Sequence, residues 1–259
     1  MNTAVAFPLI VLDCDGTLVD SQRAIHAIMA ECFTTHGLAA PDIAAVRKIV
    51  GLSLDDAIAR LQIQPCETHP SVMSQTYRQV SSRIRTQGAF EEPLFPGARA
   101  AIEQLNESGC VLGIATGKSL GGLRNTLASH DIGHFFTTLQ TSDQAPSKPH
   151  PAMLNQAMRD VGAEPHATVM VGDTTYDMEM ARAAGTYAIG VGWGYHDADA
   201  LRGAGAHRII ETYADLTSAI AIFVRVDRHD DSHTGHDDRH HENENTRQYA
   251  HDDFHDILP

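Results

Sequence analysis

The stretch that most constrains this chain runs from Phe7 to Asp20 and reads F-P-L-I-V-L-D-C-D-G-T-L-V-D. Its apolar run, Leu9 to Leu12, stops at two aspartates two residues apart, with Gly16 and Thr17 behind them. A short run of β-formers closed by glycine reads as a strand buried on both faces, as in a parallel sheet. Side chains alternate along a strand, which sends Asp13 and Asp15 to one side and Cys14 to the other. Two carboxylates so close repel each other unless a cation or a shared proton accompanies them. Strand ends are also where parallel α/β sheets bind ligands. On its own, though, Asp-x-Asp-Gly is equally compatible with a surface turn, and the choice falls to the rest of the chain.

From residue 93 onward helical and strand patterns alternate. Strands are expected at Val111 to Ala115, Phe136 to Thr141, Thr168 to Val171, Tyr187 to Val191 and Arg208 to Ile210. Helices are expected from Pro96, around Leu123 and Leu127, over Ala152 to Val161, Asp177 to Ala184 and Ala214 to Phe223. Such alternation predicts an α/β fold, a Rossmann-like parallel sheet with helices on both faces. Residues 19–92 break the pattern, since every periodic segment there is helical. Ala24, Ile25, Ile28, Met29, Cys32 and Phe33 recur at helical spacing, and Ser53 with Asp56 three residues on forms a helix start. The chain therefore divides into an α/β core of 1–18 and 93–226, an inserted helical cap of 19–92, and a tail of 227–259.

The net charge of -14 argues against nucleic acid or an anionic membrane as partner, because both call for clustered Lys and Arg. No apolar run approaches the roughly 20 residues that a membrane-spanning helix needs. Cys14, Cys32, Cys66 and Cys110 are scattered without a C-x-x-C pair and read as reduced thiols, which points to the cytoplasm.

Three of the strands end in complementary chemistry. The first ends in Asp13 and Asp15, the second in Thr116 and Gly117, and the fourth in Asp173, with Asp177 one helical turn further on. Four carboxylates at one sheet edge call for a metal, and hard oxygen ligands suit Mg²⁺. Lys148 precedes the fourth strand in a chain with three lysines and 16 arginines, and a lysine is a compact point charge suited to a phosphoryl oxygen. Metal, ammonium, hydroxyl and backbone amide together are what a transferring phosphoryl group requires.

In this order and spacing D-C-D-G-T-L-V-D-S, A-T-G-K-S, S-K-P-H-P and V-G-D-T-T-Y-D-M resemble the four motifs of the haloacid dehalogenase superfamily. The resemblance covers residues 7 to about 224 and is nearest the phosphoglycolate phosphatase-like branch. It implies Asp13 as nucleophile, forming an aspartyl-phosphate, and Asp15 as general acid and then base. It implies Mg²⁺ held by Asp13, Asp173 and the backbone carbonyl of Asp15, with Asp177 ligating directly or through water. Thr116, Gly117 and Lys148 would bind the phosphoryl oxygens. Many relatives carry Asn at the position of Gly117. Arg47, Lys48 and Gly51 fall where relatives place their specificity loop, and a cationic pair there would suit a carboxylate or second phosphate. The implied activity is hydrolysis of a small phosphorylated metabolite such as phosphoglycolate, with a sugar-phosphate mutase or phosphotransferase as the rival.

The tail repeats H-D-D-x-H at His229 to His233, His236 to His240 and His251 to His255. On a helix each pair of histidines would share a face suited to Zn²⁺, Ni²⁺ or Co²⁺, whereas the tail's shortage of aliphatic residues favours a solvated acidic segment. A metal-binding protein acting through this tail is the reading from another class.

Overall fold

The computed structural model describes residues 8–62, 68–88, 91–221 and 223; the histidine repeats and Cys66 lie outside them. The core is one six-stranded parallel sheet in the order β3-β2-β1-β4-β5-β6. Its strands are β1 (Leu9–Leu12), β2 (Val111–Thr116), β3 (Phe136–Thr141), β4 (Thr168–Gly172), β5 (Tyr187–Val191) and β6 (Arg208–Ile210). The run Leu9 to Leu12 is apolar throughout because β1 lies in the middle of this sheet, fully buried on both faces. Alternation splits it cleanly. Ile10 and Leu12 pack with Ile114, Val171 and Ile189 beneath helices α5 (Ala98–Glu107) and α6 (Leu120–Ser129). Leu9 and Val11 pack with Met153, Met170 and Met178, the face covered by α7 (Ala152–Val161) and α8 (Thr175–Ala184).

The strand order reverses direction between β1 and β4, and such a switch point leaves a crevice at the carboxyl ends of the two strands. Leu12 pairs with both Ile114 and Val171, which brings Asp13, Thr116 and Asp173 to one edge. Asp13 continues the pairing, its amide donating to the carbonyl of Val171 at 2.9 Å.

Among the described residues of 22–86 there are four helices and no strand: α1 (Gln22–Thr35), α2 (Ile43–Arg47), α3 (Leu54–Leu61) and α4 (Pro70–Thr86). They bury a core of their own, including Met29, Phe33, Val46, Ile58 and Met73. Ser53 caps α3 as its spacing with Asp56 predicts, accepting from the Asp56 amide. The two ends of the insertion meet at Val19, which bridges both Asp15 and Leu94.

Some expected boundaries shift. The helix expected from Pro96 starts at Ala98, because Gly97 takes a left-handed conformation (φ 85°) ahead of it. The segment from Tyr213 to Asp215 is a 3-10 turn, and the helix expected from Ala214 begins at Leu216. Helix α8 starts two residues before Asp177, since Thr174 is its cap. A short helix, α9 (Ala198–Gly203), was not foreseen. Among the described residues no helix is long and apolar enough to cross a membrane.

Candidate active site

Asp13 leaves β1 with no solvent exposure. Its Oδ1 accepts from the Cys14 amide at 2.7 Å and faces the Lys148 ammonium at 2.9 Å. Its Oδ2 is buried without a protein hydrogen-bond partner. Cys14 points the other way, into the packing beneath α5 and α6.

Asp173, at the end of β4, is also fully buried. Thr17 donates to its Oδ1 at 2.8 Å and the Tyr195 amide to its Oδ2 at 3.0 Å. Asp177 has two tasks. One oxygen closes a capping box on α8, accepting from the amide and hydroxyl of Thr174, while the other meets Lys148 at 2.6 Å. Lys148 therefore bridges Asp13 and Asp177 at 1% exposure.

The electrostatics follow from burial. Burial pushes the Asp13 carboxyl up to about 7, with Lys148 opposing and Asp177 and Asp15 adding to the rise. Burial, then Asp13 and Asp177, hold Asp173 well above the usual carboxylate range. For Lys148 burial alone would lower the pKa, but the carboxylates of Asp13 and Asp177 outweigh it and the net direction is upward. Fully ionised, the three carboxylates against one ammonium would carry two negative charges in a closed space, and the upward shifts of Asp13 and Asp173 reflect that cost.

Oxygen atoms of Asp13, Asp173 and Asp177 lie within 4.8 Å of one another. The donor set is all oxygen, the uncompensated charge is that of a divalent cation, and Asp13 Oδ2 is free to coordinate. These residues fit Mg²⁺. The side chain of Asp15 stands outside that cluster. Its Oδ1 pairs with Lys118 at 2.6 Å, and Lys118 also lies 3.6 Å from Glu92, which closely precedes the cap's second junction with the core.

Thr116 is buried at the end of β2, and its hydroxyl accepts from the Lys118 amide at 3.2 Å. Gly117 is pressed from above: a methyl at its Cα would collide with the backbone carbonyls of Gly51 and Leu52. The cap loop rests on the turn after β2 there, which gives a steric reason for glycine at this position. Two further contacts tie that loop to the core. The Ser53 amide donates to Ser147 Oγ at 2.8 Å, and the Tyr176 hydroxyl donates to the Lys48 carbonyl at 2.8 Å.

Asp13, Asp15, Thr116, Gly117, Lys148, Asp173 and Asp177 are thus gathered at one sheet edge. Gly51 joins them beneath the cap. Arg47 and Lys48 do not. Both are exposed; Arg47 donates to the Gln22 side chain, and neither lines the chamber between cap and core.

Sequence reasoning missed the loop after β5. Besides the Tyr195 amide on Asp173, Trp193 Nε1 donates to the Thr17 carbonyl at 3.2 Å, and Gly194 packs where any side chain would meet Asp173. The available signal was G-W-G-Y at a strand end, containing the chain's single tryptophan. Lys118 was visible in the sequence as a neighbour of the second motif, but its partner Asp15 is 103 residues away.

A sheet edge that holds a buried carboxylate, a carboxyl–lysine pair beside it and a cluster fit for a divalent cation can attack and stabilise a phosphoryl group. Comparison with known proteins agrees. Residues 10–191 match the family model described as haloacid dehalogenase-like hydrolase. A Dickeya dadantii protein named probable phosphatase IndB is 33% identical over 222 residues, covering 85% of this chain and 96% of the relative. A Vibrio cholerae phosphoglycolate phosphatase is 28% identical, covering 83% and 97%. The solved haloacid dehalogenase-like hydrolase of Streptococcus pneumoniae superposes with a TM-score of 0.72 at 27% identity, covering 83% of this chain and 99% of that one. With a family match across most of its length and relatives aligned nearly end to end, this chain belongs to the haloacid dehalogenase-like hydrolases.

Proposed function

We propose that this protein is a Mg²⁺-dependent phosphatase that hydrolyses small phosphomonoesters through an aspartyl-phosphate. The observation that carries the proposal is the buried Asp13 carboxylate, oriented through Oδ1 by Lys148 and the Cys14 amide while Oδ2 is left free. A carboxylate fixed in that way is a nucleophile held in one orientation, so little reorganisation precedes attack.

In the first half-reaction a carboxylate oxygen of Asp13 bonds to phosphorus as the bond to the ester oxygen breaks. Asp15 gives its proton to the departing alkoxide. In the second, Asp15 takes a proton from water as that water bonds to phosphorus, and the bond from phosphorus to Asp13 breaks to release inorganic phosphate. Thr116 Oγ1, the Gly117 amide and Lys148 Nζ are the donors proposed for the phosphoryl oxygens. Lys118 holds Asp15 beside the leaving group. Asp13, Asp173 and Asp177, with the Asp15 carbonyl, would hold Mg²⁺, which supplies charge stabilisation to the phosphoryl group when bound. Closing the site under Gly51 and Leu52 excludes bulk water and strengthens each of these interactions.

The phosphatase names of the relatives support the reaction class, and phosphoglycolate is one candidate substrate. We place the activity in the cytoplasm, where Cys14, Cys32 and Cys110 persist as the free thiols they are here. The test is phosphate release from a panel of phosphorylated metabolites, with and without Mg²⁺, by the native chain and Asp13→Asn. Phosphate released only by the native chain with the metal supports the reading; equal release by Asp13→Asn sinks it.

A further inference from the structure

The chamber between cap and core bears on which phosphomonoester enters, and the inference rests on the phosphatase reading above. It is a cavity of about 350 Å³ whose floor contains Asp15, Gly117 and Lys118. It therefore extends from the side where the departing alcohol stands, next to the group assigned to protonate it.

The cap side of its wall is largely apolar, while Ser81, Ser82, Asn125 and Ser142 line other parts. Ile25, Ile28 and Met29 of α1 form one side, with Val50, Leu54 and the ring of Tyr77 on the others. Arginines appear only at the solvent side, where the exposed Arg78 and Arg85 of α4 stand. At roughly 30 Å³ per water, the space would otherwise hold about a dozen waters, and it falls in the range of roughly 300–1,000 Å³ typical of pockets for larger organic ligands. A two-carbon acid would leave most of these walls wet.

The charge at the floor points the same way. The carboxylate of phosphoglycolate would sit close to the phosphoryl group, but Lys118, the cation there, is already committed to Asp15 and Glu92. Asp143 lines the same region, its carboxylate held by the Leu120 amide. Two carboxylates on one ammonium, with a third lining the same chamber, disfavour another acid. Arg47 and Lys48, the cations expected to receive one, stand outside the chamber.

From this we infer that the site prefers phosphomonoesters whose alcohol carries a ring-sized, largely apolar body of about ten non-hydrogen atoms, over short acidic ones. The polar end of such a body would face Arg78 and Arg85.

The test uses the full chain with Mg²⁺ and three substrates: 2-phenylethyl phosphate, ethyl phosphate and phosphoglycolate. The first two release alcohols of similar basicity, so they differ chiefly in what fills the chamber. The expected result is a kcat/KM for the phenylethyl ester at least about tenfold above both others, carried mainly by KM. Ser81→Phe, on the chamber wall, shrinks that ratio towards one. Gly121→Phe is the second variant, at a position where a Cβ has open space. Equal efficiencies for the two alkyl esters, or phosphoglycolate in the lead, overturn the inference and leave the phosphatase reading standing. Calorimetric titration of the same esters into Asp13→Asn with Mg²⁺ separates the two claims. Tighter binding of the phenylethyl ester, with no phosphate released by the native chain, upholds the chamber and overturns the phosphatase reading. Equal binding of the alkyl esters overturns the chamber.

Discussion

At the strand ends Asp13, Asp173, Asp177 and Lys148 are each held by named partners at hydrogen-bond distance and are shut away from water. The chamber a few residues above has a largely apolar cap side, built from aliphatic side chains and the Tyr77 ring, which selects by shape and area, with polar side chains elsewhere on its lining. Burying unbalanced charge costs several kcal/mol per ion unless partners and hydrogen bonds offset it, so the lower region tolerates almost no change. Apolar contact is gained or lost in small increments of area, so the upper region can be retuned by single side chains without disturbing the chemistry. A reaction can thus stay fixed in such a fold while the molecules it acts on change.

Asp13→Asn strikes the fixed region at its centre. Turnover of every substrate should fall by at least about a thousandfold with the far-ultraviolet circular dichroism unchanged, and a tenth of native activity would rule Asp13 out as nucleophile. Lys148→Met comes next. It leaves three buried carboxylates without their ammonium and should cost the metal-free protein about 3–5 kcal/mol, lowering Tm by roughly 10 °C. Mg²⁺ should restore part of the loss, and an unchanged Tm would break the claim that this lysine balances the site.

Proton linkage sharpens the same contrast. Asp13, at about 7, and Asp173 hold protons more tightly in the folded chain than in the unfolded one. Between about pH 4 and 7 the folded state therefore carries the extra protons, and raising the pH removes stability. Urea unfolding of the metal-free chain should show this decline, a smaller one in Asp13→Asn, and a flattened one with saturating Mg²⁺. A rise in stability through that window attributable to Asp13 would contradict its environment.

Lys118→Met should lower kcat about 10- to 100-fold for alkyl esters and less for p-nitrophenyl phosphate, whose leaving group needs little protonation. Equal losses on both would mean that Lys118 does not act through Asp15. The smallest effect is expected where the two regions touch. Gly117→Asn pushes Gly51 and Leu52 off their seat and should raise KM several-fold with kcat little changed; a fall in kcat alone would place that contact in the chemistry instead.

Much of the lower region was legible in the sequence. Leu9 to Leu12 marked the central strand because only a strand covered on both faces is apolar without alternation. Each strand end showed its polar residues locally, as Thr116-Gly117 or Gly172-Asp173, and Lys148 stood out through the scarcity of lysine. The upper region was far less legible. That Arg47 and Lys48 miss the chamber depends on how the end of α2 turns and on Gln22 and Tyr176, which approach from distant parts of the chain. The loop from Trp193 to Tyr195 supports Asp173 through a backbone amide and close packing, neither of which has a signature in residue type. The Lys118–Asp15 pair spans 103 residues, and the dual use of Asp177 follows from a helix that starts two residues earlier than its apolar pattern suggests.

The placement of the three lysines has a practical consequence. Lys148 is enclosed, Lys118 is mostly covered, and the carboxylates beside both hold them protonated. Lys48 alone among them is exposed, at the cap edge next to the carbonyl that Tyr176 engages. An amine-directed fluorophore applied to the folded protein thus has one lysine address, and it lies on the seam between cap and core. A label there would report on the contact between cap and core without touching the two lysines of the site.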